Sequence, residues 1–455
     1  MTEDKFLDDL DAYIDRTRPL FERELETLVN IPTVSADPAH QKDIIRGAEA
    51  AAELLRAAGF QVELVKTSGN PIVFGQLLEY PGSPTVAIYN HLDVQPADPA
   101  AWKSDPFALV IEGDRYIGRG STDDKGPALT ALAAIRYAHE QKMPLNFKVI
   151  WELEEEVGST HFEDFVRGEH NRLTSDSVVL SDTIWIADGK PAIPVGLRGM
   201  ALLEVSLETA EADVHSGLAG GAARNPLGEI MQLITDCYDA ASGDVKIPGF
   251  YDDVVPPSSQ ELDDFVASGF SVIDFMKDHG LRSLRTKDVR EVVERIMARP
   301  TFEVHGIVGG YTGPDVMTVI PPRATVKVSM RLVPNQDPGK VAELVERFIH
   351  TRCPDATVRL VATLAPYLVT ANGPHLQAAV AAMQYGFGVK PALIREGGSI
   401  GAVLTMAKYI QAPVVMPGLS LPAHGYHAPN EYFEWAQASG GIRMYVDYFR
   451  RVTRL

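Results

Sequence analysis

Apolar positions in the first thirty residues recur at helical spacing. Phe6, Leu7, Leu10, Tyr13, Ile14, Leu20, Phe21, Leu25 and Leu28 predict one or two amphipathic helices packed on a core. A further helix is expected over 41–58, ending at Gly59, a residue suited to the left-handed position past a helix end. The pattern then changes to short apolar runs, which predict strands at about 61–66, 72–78 and 85–89. The segment 128–141 returns to helical period, with Pro127 at a tolerated first-turn position. Apolar strands follow at 147–151 and 177–180. Strands alternating with helices predict an α/β layer with a largely parallel sheet.

The pattern shifts near Gly196-Leu197-Arg198-Gly199. A strand at 201–207, a helix at 225–238, a polar, proline-rich and acidic stretch at 248–264, a strand at 325–332, a helix at 338–351 and a strand at 357–363 read as a compact α+β unit. From about Pro366 the α/β pattern resumes, with helices at 375–385 and 401–410, a strand at 414–416 and a last helix at 432–452. The simplest organisation is a catalytic domain in two segments, 1–197 and 366–455, with a smaller domain, 198–365, inserted between them. A length of 455 residues agrees with roughly two to three domains.

Composition narrows the function. A net charge of -19 argues against a nucleic-acid or anionic-membrane partner, although a local electropositive centre could still hold an anionic substrate. Cys237 and Cys353, the only cysteines, are no disulfide framework and suit a reducing compartment. The acidic opening, Met1-Thr2-Glu3-Asp4-Lys5, is not that of a signal peptide, and no apolar run approaches the ~20 residues of a membrane span. A cytoplasmic location is expected.

Five stretches place polar chemistry at the ends of apolar runs. Val86-Ala87-Ile88-Tyr89-Asn90-His91-Leu92-Asp93 ends in a histidine with a carboxylate two residues on. Residues i and i+2 share one side of a strand, so one group can bind a metal while the other holds the second ring N–H. A surface hydrogen bond accounts for the same pair. Gly118-Arg119-Gly120-Ser121-Thr122-Asp123-Asp124-Lys125-Gly126-Pro127 sets two aspartates before a helix; one would suffice as an N-cap. Glu152-Leu153-Glu154-Glu155-Glu156-Val157-Gly158-Ser159 is either a solvated acidic loop or a set whose repulsion a dication relieves, one carboxylate ligating and its neighbour acting as base. Val178-Val179-Leu180-Ser181-Asp182 ends a strand in a turn aspartate or a ligand. Pro422-Ala423-His424-Gly425-Tyr426-His427-Ala428-Pro429-Asn430-Glu431 offers two histidines in a loop. Strand ends of an open α/β sheet converge on one crevice. Such a set can hold two metal ions roughly 3.5–4 Å apart, bridged by one carboxylate. Nitrogen and oxygen donors suit zinc, with manganese or cobalt as alternatives.

Together these stretches resemble the co-catalytic zinc peptidases that include carnosinase, carboxypeptidase G and aminoacylase, and most of all the cytosolic nonspecific dipeptidase branch. The resemblance spans nearly the whole chain. It also rests on Asp213-Val214-His215-Ser216-Gly217, Arg331-Leu332-Val333-Pro334 and Arg395-Glu396-Gly397-Gly398-Ser399-Ile400. It implies a phosphorylase/hydrolase-like α/β catalytic domain with a ferredoxin-like α+β lid and dimerisation domain, hence a homodimer. It implies that Asp123 bridges two zinc ions, that His91 and Asp182 complete one site, and that Glu156 and His427 complete the other. Asp93 would orient His91, and Glu155 would be the base for a zinc-bridged water. The bond Asp123–Asp124 would be cis. His215 would help hold the oxyanion, often in the partner's site, Arg331 would hold the substrate carboxylate, and Gly398 and Ser399 would offer an N–H and a hydroxyl. The acid run is anchored on Gly158-Ser159, and His427 is preferred to His424 because Asn430-Glu431 follow it. His139, His161 and His305 are expected to have no catalytic role.

The reaction expected is hydrolysis of peptide bonds in dipeptides or short peptides. Aspartate at position 182 is associated, within the resembling family, with dipeptidases and aminopeptidases. The alternatives are an N-acyl-amino-acid amidohydrolase on the same chemistry and, more remotely, a non-catalytic metal-binding protein.

Overall fold

The computed structural model describes residues 3–369, 373–398 and 400–455. Its central sheet has six strands in the order Gln61–Val65, Ile72–Leu77, Asn146–Glu152, Thr85–His91, Ser177–Leu180, Val414–Val415. The last four run parallel to one another, and Ile72–Leu77 runs against both of its neighbours. The sheet is therefore mixed but mostly parallel, as the alternation of strands and helices predicts.

Side chains alternate between two cores along each inner strand. Val86, Ile88, Phe147, Val149 and Val179 pack into one cluster, with the helices Glu3–Val29, Gln41–Ala57, Gly126–Glu140, Pro374–Phe387 and Trp435–Val452. Ala87, Tyr89, Ile150, Val178 and Leu180 pack into another on the opposite face, with the helices Phe162–Leu173 and Gly401–Tyr409. A sheet covered on both faces can be apolar at every position, which is why these strands read as unbroken apolar runs. Among the described residues, no helix is long and apolar enough to cross a membrane.

A separate four-stranded antiparallel sheet runs in the order Glu303–Gly309, Arg323–Leu332, Gly199–Glu208, Thr357–Leu364. With the helices Pro226–Cys237 and Pro338–Arg352 it gives the chain order βαββαβ, the ferredoxin-like arrangement. Ala201, Leu203, Val205 and Leu207 alternate into a core with Ala324, Val326, Val328 and Met330, and the two helices cover that face.

Some elements depart from the sequence reading. The amino-terminal pattern forms one helix, Glu3–Val29, with Pro19 inside it. The stretch read as polar connection contains the helix Ser259–Ala267, followed by Val272–Asp278 and Val289–Met297. Each of the three has an N-cap side chain, Ser258, Ser271 or Asp288, and in Val289–Met297 the residues Val289, Val292, Val293, Ile296 and Met297 also recur at helical spacing. The last helix begins at Trp435, because Tyr432–Glu434 pairs as a strand with Arg115–Ile117. A small sheet joins Ala192–Leu197 in parallel to Ala392–Glu396 and brings their carboxyl ends, Arg198 and Gly397, together.

Candidate active site

Three neighbouring parallel strands end on one edge of the central sheet. Thr85–His91 ends in His91, Asn146–Glu152 leads into Glu155-Glu156, and Ser177–Leu180 leads into Asp182. The loop before Gly126–Glu140 brings Asp123 over them, and the loop after Val414–Val415 brings His427. Ligand atoms of His91, Asp123 and Asp182 all lie within 4.8 Å of one another, and so do those of Asp123, Glu156 and His427.

Asp123 belongs to both trios and divides its oxygens between them. His91 Nε2 stands 2.9 Å from Asp123 Oδ1, and His427 Nε2 stands 3.1 Å from Asp123 Oδ2. His427 Nε2 is also 3.1 Å from Glu156 Oε2, and Asp182 Oδ2 is 3.8 Å from His91 Nε2. The peptide bond Asp123–Asp124 is cis. The donor set suits two divalent cations: imidazole nitrogens and carboxylate oxygens, no thiolate, and one carboxylate placed to bridge.

The electrostatics fit the same description. Burial works against ionising Asp123, but hydrogen bonds from His427 and His91 outweigh it and hold its carboxyl well below the usual range. Its hydrogen bonds to Asp123 and Glu156 raise His427 to about 10. Burial lifts Glu155 to about 7; the charge of His91 opposes this, and Glu156, Asp93 and Asp123 add to it. His427 has a backbone φ of +54°, a left-handed conformation that is uncommon for a residue other than glycine. Such strain concentrates at functional sites.

The four acids of the 152–156 run separate. The Tyr89 hydroxyl donates to Glu152 Oε2 at 2.6 Å, and Glu154 accepts from the Asn70 N–H at 2.8 Å and pairs with His161 at 2.9 Å. Glu156 joins the centre, and Glu155 feels the charges of His91, Glu156, Asp93 and Asp123. His161 thus serves Glu154, while His139 bonds Glu79 and His305 bonds Ser329. His424 is buried and its Nδ1 bonds Leu421 N–H and the Thr122 hydroxyl, so of the two loop histidines His427 joins the cluster.

Asp93 holds more than the sequence suggested. His91 Nδ1 lies 3.0 Å from the Asp93 backbone oxygen and 3.5 Å from its carboxylate. The carboxylate itself accepts from the N–H groups of Glu155 and Glu156, each at 3.1 Å. Asp93 thus meets His91 through its backbone carbonyl and, at longer range, through the carboxylate that also accepts from the Glu155-Glu156 turn.

Further positioning residues were given no role by the sequence. Glu431, fully buried, accepts from Arg119 at 2.7 Å and from the backbone N–H groups of Gly120, Thr122 and Asp123 at 3.0–3.1 Å. Gln95 donates to Glu156 Oε2 at 2.8 Å, and Asn90 donates to Asp124 Oδ2 at 2.7 Å. Both lie inside or beside the His91–Pro96 stretch, where polar residues flanking a ligand are the only hint.

The remaining candidates lie apart from the cluster. His215 is exposed on a two-residue strand paired with Val319-Ile320, and its Nδ1 accepts from the Gly217 N–H. Among the described residues, no hydrogen bond or ion pair joins it to the cluster. Arg331 is half-buried on a strand of the four-stranded sheet and lines a cavity with Arg198. Gly398 follows the strand Ala392–Glu396 and is exposed, while Ser399 lies outside the described residues.

Carboxylates and imidazoles drawn from adjacent strand ends into two trios around one shared aspartate define the centre of a dinuclear metallohydrolase. The chain belongs to peptidase family M20/M25/M40, whose model matches residues 87–451. This is a family of dinuclear metallopeptidases, and the α/β catalytic fold with its inserted smaller domain is that of its members. The chain is similar to the human Beta-Ala-His dipeptidase, with 30% identity over 97% of this chain and 92% of that one. It is similar to a Cys-Gly metallodipeptidase of Schizosaccharomyces pombe, with 29% identity over 97% of each. Among solved structures, a metallo-carboxypeptidase from Sulfolobus solfataricus is similar at a TM-score of 0.87 and 30% identity, covering 95% of this chain and 98% of that one.

Proposed function

We propose that the protein is a dizinc dipeptidase that hydrolyses the peptide bond of dipeptides or short peptides. The observation that carries this reading is Asp123, which offers one carboxylate oxygen to each of two ligand trios beside an uncommitted Glu155. His91, Asp123 and Asp182 would hold one cation and Asp123, Glu156 and His427 the other, with zinc favoured by the donor set. When bound, such ions lower the pKa of a water from 15.7 towards about 7 and polarise a carbonyl.

The chain's own groups carry the proton and the substrate. Glu155, lifted to about 7, accepts a proton as water adds to the peptide carbonyl and returns it to the amine as the C–N bond breaks. Asp93 fixes the turn that carries this base. Arg331 anchors the substrate carboxylate, for which a planar guanidinium is suited. The backbone N–H of Gly398 and the Ser399 hydroxyl contact the substrate.

His215 supports the oxyanion from the partner of a homodimer formed through the inserted domain, 198–365. Leu218 and Val316, each 88% exposed beside the His215 strand, give that domain an apolar surface to bury. Two free cysteines, both buried, suit the cytoplasm. That the similar proteins include a Beta-Ala-His dipeptidase and a Cys-Gly metallodipeptidase supports reading the substrates as peptides rather than acylated amino acids. A zinc-loaded assay over dipeptides and N-acetyl amino acids tests this: dipeptides are expected to turn over and N-acetyl amino acids to be poor. The reverse order would make the protein an amidohydrolase.

A further inference from the structure

The segment 198–365 does not share one core. Its four-stranded sheet packs with the helices Pro226–Cys237 and Pro338–Arg352. The helices Ser259–Ala267 and Val289–Met297 instead bury Phe265, Val293 and Met297 with Ala192 and Ile394 of the small parallel sheet. That sheet joins the two outer segments of the chain, and its strand Ala392–Glu396 leads straight into Gly397-Gly398. Part of the insertion is therefore rooted beside the proposed substrate turn.

One ion pair crosses this contact. Arg395 is 6% exposed, and its Nη2 stands 2.6 Å from Glu261 Oε1 on the helix Ser259–Ala267. Its Nε and Nη1 are buried and have no hydrogen-bond partner among the described residues. A buried guanidinium is costly without its counter-charge, so Glu261 fixes where Arg395 can stand. Beyond Arg395 the chain runs towards the proposed metal ligands. The Glu396 carboxylate accepts from the backbone of Ile184, two residues past Asp182, and Arg198 Nε donates to the Gly397 carbonyl at 3.3 Å. A Cβ at Gly401 would meet Ser159 Cβ at 3.7 Å, which sets that glycine against the turn after Glu155-Glu156.

We propose that Arg395, held by Glu261, is a positioning residue that keeps Gly397-Gly398 placed for the substrate. A helix of the inserted segment then sets substrate affinity through a strand of the catalytic segments. The inference rests on the reading that the Gly398 N–H contacts the substrate. Arg395 adjoins that turn in the chain, so removing its counter-charge frees the turn at the root and leaves the metal ligands on their own strands. The loss falls on binding, and the charge-assisted contact that is given up corresponds to about tenfold.

The test is Glu261→Gln, which removes the charge at a partly exposed position and keeps the size of the side chain. It is made on the zinc-loaded full chain with the dipeptide that wild type hydrolyses fastest, and by deuterium uptake of the backbone. KM is expected to rise about tenfold, with kcat held within about threefold. Zinc content should stay at the wild-type value, and uptake should quicken over 393–401 but not over 85–93. The double variant Arg395→Met/Glu261→Gln leaves no unpaired buried charge; it is expected to fold and to show the same rise in KM. Wild-type KM in both variants overturns the proposal and leaves the peptidase reading intact, whether or not uptake quickens. Quicker uptake over 393–401 in Glu261→Gln, when wild type hydrolyses no dipeptide, keeps the hold of the pair on the turn and removes the peptidase reading.

Discussion

Asp93 accepts directly from the Glu155 N–H, yet substitutions at the two residues are expected to fail differently. Asp93 contacts His91 and caps the turn that carries Glu155 and Glu156, so it serves both halves of the centre without belonging to either trio. Asp93→Ala should weaken metal affinity by about 10–100-fold and lower activity with it. Glu155→Ala should retain both ions but lose about 10²–10⁴ in kcat. Zinc content and turnover measured on each variant separate the two roles. An Asp93→Ala protein with unchanged metal affinity would leave that residue a plain turn cap.

His424 gives the residue scale a pH signature. Burial, with the charge of Arg115 adding to it, lowers His424 to about 3. In the unfolded chain an imidazole titrates near 6.5, so below that pH the unfolded state binds a proton that the native state refuses. The stability this neutral ring allows is therefore present above pH 6.5 and is lost as pH falls towards 3. At pH 5 the loss from this group is about 2 kcal/mol. His424→Asn, with an oxygen to replace Nδ1, should flatten the fall between pH 7.5 and 5 in urea unfolding. An unchanged slope would assign it to other groups.

Among the elements, the loop 118–125 carries Asp123, the proposed bridging aspartate, and is clamped by Glu431 from more than 300 residues away. Glu431→Ala leaves a buried Arg119 and three backbone N–H groups without their acceptor. It is expected to cost about 3–5 kcal/mol and to loosen the metal site with it. Chemical unfolding with and without zinc measures both effects, and a variant of native stability would contradict the clamp.

This clamp also shows where the sequence is silent. The proposed ligands were legible as a set because metal chemistry admits few residue types and the sheet places them at the ends of apolar runs. Glu431 stands in a motif that helped to choose His427, but its role as a clamp was not legible, since its partners are remote in the chain. The helices Ser259–Ala267 and Val272–Asp278 are short and bury one apolar residue each, Phe265 and Val272, so they show little apolar period, whereas Val289–Met297 carries one over a single short stretch that buries Val292, Val293 and Met297. The strand Tyr432–Glu434 was absorbed into the following helix, because only its pairing with Arg115–Ile117 marks it.

At the scale of the whole molecule, the exposure of His215 bears on assembly. If His215 acts in the partner's site, neither Glu155→Ala nor His215→Ala dimers are active alone. Mixing and re-pairing them in equal amounts makes half the dimers mixed, each with one intact site of its two. About a quarter of wild-type activity should return. No recovery, with mixed dimers demonstrated, would place His215 in its own subunit's site or outside catalysis.

The central claim is that two bound zinc ions on this ligand set hydrolyse dipeptides. The most direct measurement follows dipeptide hydrolysis by the chelator-stripped chain as zinc is added. The account predicts no turnover at the start and a rise that saturates at about two zinc ions per chain. Full turnover in the stripped protein, or two bound ions with no hydrolysis of any dipeptide, would contradict it.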